Sequence, residues 1–260
     1  LGQGELVDGM YRDGFQCPLA DQLMGATAEN LAEEFSISRE EQDSYAVETQ
    51  RRCQQAREEN LFADEIAPVE IPGRKGPTVI SVDEHPRDNS NMASMAKLKP
   101  VFKKEGTVHA GNSSGITDGA CALVLANEEV AKAEGWPILA VVGASARGGV
   151  EPRRMGMGPV PAIGKLLTQT GASISDYDLV EINEAFAAQV LACLKEVDID
   201  RDRLNVHGGS IALGHPIGAT GARIVTTLIH AAKRRGGGKG MASLCISGGM
   251  GLALDLEISS

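Results

Sequence analysis

The chain has 260 residues, 42% of them hydrophobic, and a net charge of −10, which is enough apolar material to bury a substantial core in one large domain or two smaller ones. That acidity argues against a nucleic-acid binder, and no apolar run reaches the roughly 18 to 20 residues that a membrane helix needs. The five cysteines, Cys17, Cys53, Cys121, Cys193 and Cys245, lack CxxC or metal-type spacing and read as free thiols of a reducing, cytoplasmic compartment. No basic-then-apolar secretory signal opens the sequence; because it begins at Leu1 without methionine, a lost mitochondrial or peroxisomal targeting segment stays open.

Residues 21–60 read as two helices, the second announced by Ser38 with Glu41 three positions on, a capping-box pattern. Two extended runs follow at 66–71 and 78–82, with Gly73, Gly76 and Pro77 marking the turn between them. Residues 83–115 are irregular and hold a local basic excess, Arg87, Lys97, Lys99, Lys103 and Lys104. Such a run is either a solvated loop or an anion-binding surface for a phosphorylated ligand. From Ala120 the pattern alternates. CALVLA reads as a strand, 128–135 as a helix and ILAVVGASA as a strand; 161–170 is helical, 177–182 extended, and 184–197 and 217–235 helical; two strands, 241–246 and 252–258, close the chain around SGGMG. The order predicts an α/β fold, layered, with a mixed sheet carrying helices on its faces, joined near residue 116 to an α-rich first part.

Residues 207–224, HGGSIALGHPIGATGARI, set His215 between Gly214 and Pro216 in a run thinned by Gly208, Gly209, Gly218 and Gly221. Glycine admits close approach to the backbone and proline fixes its direction, so the run presents one imidazole at a helix entrance, or else simply makes a tight turn. Asn183 after LVEI and Cys245 after MASL also end apolar runs, where α/β proteins place ligand-contacting residues. Cys245 is then either a buried, inert thiol or a reactive one with His215 as its base. GATGAR lacks the GK[ST] ending of a phosphate loop, and the five histidines form no HxH or HxxxH pair, so neither nucleotide nor metal chemistry is indicated.

NEAFA at Asn183, GGSIALGHPIGATGARI at Gly208 and CISGGMG at Cys245 make the chain similar to the thiolase family. MGATAENLA from Met24, ISREEQDSYA from Ile37, VDEHPR from Val82, GTVHAGNSSGITDGA from Gly106 and MGPVPA from Met157 follow the same order of motifs, over essentially the whole chain. The resemblance implies a coenzyme A-dependent acyltransferase, which cleaves 3-ketoacyl-CoA with CoA or runs the reverse Claisen condensation. It implies a thiolase-like fold, homodimers or homotetramers, CoA and acyl-CoA as substrates, and no permanently bound cofactor. By motif match, His215 is the base that activates the nucleophilic cysteine, and Cys245 moves the proton at the α-carbon of acetyl-CoA. Asn183 holds a water that with His215 forms an oxyanion hole, an arrangement that usually supplies a large catalytic effect. Ser114 meets the pantetheine of CoA, Arg87 and Ser90 its nucleotide end, and Met157 lines the acyl pocket.

This sequence departs from the family pattern at three points. Nothing in it matches the motif of the acyl-accepting cysteine, so residues 1–116 resemble the family's loop domain and 117–260 its C-terminal domain, with the nucleophile's domain missing. Leu23 stands where short-chain biosynthetic members often carry histidine, which leans toward the degradative, fatty-acid β-oxidation branch. Ser247 occupies a place usually held by glycine, next to a second oxyanion hole, where a positive φ would strain a serine. The alternative reading is a non-catalytic module that binds CoA or acyl-CoA.

Overall fold

The computed structural model describes residues 2–260. A π-helical turn at Tyr11–Phe15 leads into a tight hairpin of β1 (Gln16–Cys17) and β2 (Gln22–Leu23). Two helices follow, α1 (Met24–Glu34) and α2 (Arg39–Glu58). The capping box that opens α2 is formed, with the Ser38 side chain accepting from the Glu41 amide and the Glu41 carboxylate accepting from the Ser38 amide. Next come the small hairpin β3 (Val69–Ile71) and β4 (Thr78–Ile80) and the short helix α3 (Met92–Met95).

The second half contains α4 (Glu128–Ala133), β5 (Ala140–Gly149), α5 (Pro159–Thr170), β6 (Leu179–Ile182), α6 (Ala187–Glu196), α7 (Ser210–Leu213), α8 (Thr220–Arg234), β7 (Gly238–Ile246) and β8 (Met250–Ile258). Four of these strands form a mixed sheet in the order β5-β8-β7-β6, in which β6 runs parallel to β7 and the other pairs are antiparallel. The period of two sorts the side chains between its faces. Val180, Ile182, Met241 and Ala253 pack with Ala162, Ile163 and Leu166 of α5 and with Ala187 and Val190 of α6. Leu179, Ala242, Leu256 and Ile258 pack on the opposite side with Ile224, Leu228, Ala231 and Ala232 of α8. Pro159 and Pro161 pre-set the first turn of α5, and Gly171, at φ +68°, ends it in the left-handed conformation that glycine adopts freely.

The expected strand at CALVLA does not form. Residues 120–126 pair with no strand among the described residues, and Leu123, Val124 and Leu125 are exposed. β propensity makes no strand without a neighbouring ladder to take up the backbone N–H and C=O groups. The irregular stretch 106–115 is held instead by buried carboxylates. Glu29 of α1 accepts from the amides of Thr107 and Val108, and Asp43 of α2 accepts from His109 Nε2 at 2.7 Å and Asn112 Nδ2 at 3.0 Å. This stretch in turn donates Ser114 N–H to the Ala185 carbonyl and accepts, at Gly115, from the His215 amide. It therefore ties together the two loops that carry Asn183 and His215.

Candidate active site

Asn183 follows the last residue of β6, where its amide donates to the Ser243 carbonyl of the parallel neighbour β7; Cys245 lies two residues further along that neighbour. Both sit at the carboxyl end of a parallel pair, the end where open α/β sheets place ligands. Glu184, beside Asn183, is the clamp of this corner. Its buried carboxylate accepts from Tyr45 Oη at 2.8 Å, Thr49 Oγ1 at 2.9 Å, Asn205 Nδ2 at 3.1 Å and the Ile211 amide at 3.2 Å. Four donors, from two helices and one loop, thus converge on the residue next to the amide.

His215 lies in the loop between α7 and α8, preceded by Gly214 at φ +94°. A Cβ on Gly214 would meet the Thr117 side chain at 2.5 Å, so both space and backbone conformation require glycine there. His215 Nε2 is 3.3 Å from Asn183 Nδ2, and its Nδ1 is 2.7 Å from Thr220 Oγ1, which itself donates to the Pro216 carbonyl at 2.9 Å. Since the Thr220 hydroxyl has one proton and gives it to Pro216, it accepts from Nδ1–H, and the lone pair of the neutral ring is left on Nε2. Burial, with the Arg223 charge added, pushes His215 down to about 4, so the ring is neutral at physiological pH.

Cys245 is buried in a cluster with Ala28, Val108, Met155, Ala185, Phe186 and Ala188. That burial pushes its thiol up to about 12, so it carries its proton at neutral pH. Met155, which sequence reading passed over, shares this cluster, whereas Met157, 3% exposed, packs with Leu31, Ile37, Ala192 and Cys193. Two residues apart in a 3-10 turn, the two methionines face different clusters, and nothing in their spacing distinguishes them. Ser114 is half-buried and bonded to the 183–187 loop. Arg87 is exposed, its guanidinium donating to the Glu84 and Pro86 carbonyls, and the Ser90 amide donates to the Arg87 carbonyl. Their segment reaches α7, which leads into the histidine loop, through His85, whose Nδ1 is 2.8 Å from the Ala212 carbonyl.

Ser247 shows no positive φ; the left-handed positions of its turn are Gly248 and Gly249, so serine is accommodated without the expected strain. Cys17 is fully buried against the same turn. Burial raises its thiol, but hydrogen bonds from the amides of Ala20, Leu19 and Gly248 and from the Ser247 hydroxyl bring it below its ordinary value. Among the described residues no group of three His, Cys, Asp or Glu side chains is placed to hold a metal ion, and no helix is long and apolar enough to cross a membrane.

The fold and this corner define an α/β protein that sets a neutral imidazole and a carboxamide side by side at the carboxyl end of a parallel strand pair. Residues 1–129 match the family model of the thiolase N-terminal domain and residues 136–258 that of the thiolase C-terminal domain. The chain belongs to the thiolase family. It is 50% identical over 257 residues to the acetyl-CoA acetyltransferase of Escherichia coli (strain K12), a match covering 99% of this chain and 65% of that relative. It is 48% identical over 236 residues to the beta-ketoadipyl-CoA thiolase of Pseudomonas aeruginosa, covering 90% of this chain and 59% of that one. The crystal structure of the Bacillus anthracis acetyl-CoA acetyltransferase superposes with a TM-score of 0.95 at 48% identity, covering 99% of this chain and 65% of that one. That of human mitochondrial 3-ketoacyl-CoA thiolase in complex with CoA superposes at 0.94 with 43% identity, covering 100% and 65%. The chain thus spans about 65% of the length of such relatives.

Proposed function

We propose that this chain forms part of an acyl-CoA acyltransferase that cleaves 3-ketoacyl-CoA with CoA into acetyl-CoA and a shortened acyl-CoA, or runs the reverse Claisen condensation. The observation that carries the reading is the 3.3 Å approach of Asn183 Nδ2 to the His215 Nε2 that holds the ring's lone pair. A neutral imidazole of this tautomer takes the proton of a nucleophilic thiol, and its new Nε2–H then donates, with a water held by Asn183, to the thioester carbonyl oxygen, where the charge of the departing enolate gathers. The thiolate attacks the 3-keto carbon and the bond between carbons 2 and 3 breaks. The departing acetyl-CoA carbanion takes the proton of Cys245, whose burial keeps it a thiol until then. CoA thiol returns a proton to Cys245 and displaces the acyl group from the nucleophile as the shortened acyl-CoA.

In this reading Ser114, Arg87 and Ser90 contact CoA, Met157 bounds the acyl pocket, and 1–116 and 117–260 are the loop and C-terminal domains. The acyl-accepting thiol is none of the five cysteines, and the assembly is a homodimer or homotetramer. The bonds that tie Ser114 to the Asn183 loop and the Arg87 segment to α7, just before the His215 loop, support the Ser114, Arg87 and Ser90 assignments. The test is thiolysis of acetoacetyl-CoA by the full-length protein and by His215→Ala. Loss of turnover in the variant is expected. Equal rates defeat the reading, and calorimetric CoA binding without turnover in either protein favours a CoA-binding module instead.

A further inference from the structure

One chain of hydrogen bonds behind Asn183 runs in a single direction. Arg223 of α8 donates from Nη2 to Ser210 Oγ at 2.8 Å, and Ser210 donates to Asn183 Oδ1 at 2.6 Å. Asn183 then presents Nδ2 to His215 Nε2, and His215 donates through Nδ1 to Thr220, which donates to Pro216. A guanidinium donates at every nitrogen and accepts at none. Its presence at one end makes the Ser210 oxygen an acceptor on that side and turns its single proton toward Asn183. A carboxamide receiving that proton has its oxygen fixed away from the histidine and its NH2 fixed toward it. Ser210 is fully buried, so no solvent competes for the hydroxyl.

Arg223 is enclosed from behind. Glu181, 2% exposed on β6, lies 3.8 Å from Nη1, and the arginine side chain is only 18% exposed. β6 thus supplies both ends of the device, the buried carboxyl group behind the arginine and, two residues on, the amide the arginine orients.

We propose that Arg223 and Ser210 are positioning residues for the proposed reaction: the arginine sets the direction of the Ser210 hydroxyl, which locks the Asn183 amide with its NH2 toward the His215 lone pair. The inference rests on the reading that Asn183 and His215 act in acyl transfer. It goes beyond it by assigning function to two residues that need not touch substrate. Without the Ser210 proton the amide is free to flip, and a flipped amide sets an oxygen lone pair against the Nε2 lone pair.

The test uses the full-length protein, with kcat and KM for thiolysis of acetoacetyl-CoA measured on variants whose thermal unfolding matches the parent. Ser210→Ala is expected to lower kcat about 10-fold, the effect of one buried hydrogen bond lost, while KM for CoA stays within about 2-fold. Arg223→Met is expected to do the same, Arg223→Lys to retain most of kcat because an ammonium still donates, and Ser210→Ala combined with Arg223→Met to be no worse than either alone. Parental kcat in Ser210→Ala, equal losses in Arg223→Lys and Arg223→Met, or additive losses in the double variant would each overturn the proposal. His215→Ala separates the two levels: if it turns over at the parental rate the acyl-transfer reading fails, whereas if it is inactive and Ser210→Ala is unaffected only the positioning role fails.

Discussion

The Thr220 hydroxyl fixes which nitrogen of His215 carries the proton: it is 2.7 Å from Nδ1 and 2.9 Å from the Pro216 carbonyl to which it donates. Thr220 is the first residue of α8, buried, so the helix that packs against the sheet also sets the tautomer of the ring. Thr220→Val keeps the shape and removes the acceptor. Nδ1–H then loses its partner and the proton is free to move to Nε2, which removes the basic lone pair from the site. The expected result is a fall in kcat of about 3- to 10-fold, the range for one neutral hydrogen bond, with little change in unfolding temperature, read by steady-state thiolysis.

The glycines around His215 divide into two kinds that the sequence does not separate. Gly214 adopts φ +94° beside Thr117, and Gly208 adopts φ +77° with Thr49's carbonyl 2.5 Å from where a Cβ would stand. Gly209 faces the Glu184 carboxylate at 2.3 Å, whereas Gly218 and Gly221 face open space with ordinary φ. Gly214→Ala is therefore expected to shift the His215 backbone and cut activity by at least about 10-fold, a misplacement effect. Gly218→Ala is expected to leave activity within about 2-fold and to stabilise slightly by restricting the unfolded chain. Parallel kinetics and thermal melts of the two variants check the division.

Local signals carried most of the fold. The Ser38 and Glu41 pair marks the start of α2, and the alternation after Ala120 marks the mixed sheet; both depend on neighbours within a few residues. Asn183 and His215 were legible because each ends an apolar run at a turn. CALVLA failed because pairing is non-local. The relay from Arg223 through Ser210, and the clamp on Glu184, were illegible for the same reason: their partners lie 13 to 139 positions away, and a Tyr, Thr or Arg on a charged helix looks like any solvated one. Short-range pattern also gave no means of choosing Met155 over Met157 as the methionine packed with Cys245.

Glu184→Gln tests the clamp. The carboxylate accepts from Tyr45, Thr49, Asn205 and the Ile211 amide, and a carboxamide would turn an NH2 toward some of these donors. Frustrating buried donors costs about 1 to 3 kcal/mol, which corresponds to a fall in Tm of roughly 2 to 10 °C for a chain of this size. The Tyr45 hydroxyl, whose pKa burial and the Glu184 charge raise well above its usual value, stays protonated and has no other acceptor among the described side chains. Differential scanning calorimetry reads the shift; an unchanged melting curve would mean the corner is held by apolar packing alone.

The acyl-accepting thiol is tested by trapping. Cys17 is the cysteine whose pKa is drawn down, by amides and a hydroxyl at the Ser247 turn, although burial alone would raise it. A depressed thiol beside backbone donors has the electrostatics of a nucleophile, while its complete burial denies it a substrate. Acid-quenching the full-length protein with acetyl-CoA and mapping the acetylated cysteine by mass spectrometry is expected to find the label on none of Cys17, Cys53, Cys121, Cys193 and Cys245. Cys17→Ser is expected to keep turnover within about 3-fold, the effect of losing at most one weak contact. A label on Cys17 would place the nucleophile in this chain and reassign the turn at Ser247 as its oxyanion hole.

Acid sensitivity follows from His207. It is 7% exposed, stacked edge-on against Phe62 at 5.9 Å, and burial, reinforced by Arg235 and Arg234, pushes it down to about 4. Unfolded, the ring takes a proton near pH 6.5, whereas folded it stays neutral until about pH 4. Its contribution to stability is therefore complete above pH 6.5 and lost as pH falls toward 4, with a slope of up to about 1.4 kcal/mol per pH unit. Burial holds Glu65 up at about 7 and Glu181 at about 8, and these act in the opposite sense: their contribution is complete below pH 4.5 and lost as pH rises through 7 to 8. The two effects overlap between pH 4.5 and 6.5, so the parent's profile alone does not isolate either. Urea unfolding of the parent and of His207→Gln from pH 4 to 8 does. The variant's stability is expected to fall less steeply below pH 6.5 while the alkaline limb is unchanged, because only the groups that release protons there remain. Identical slopes on the acid side would show that His207 takes up its proton as readily in the folded chain as in the unfolded one.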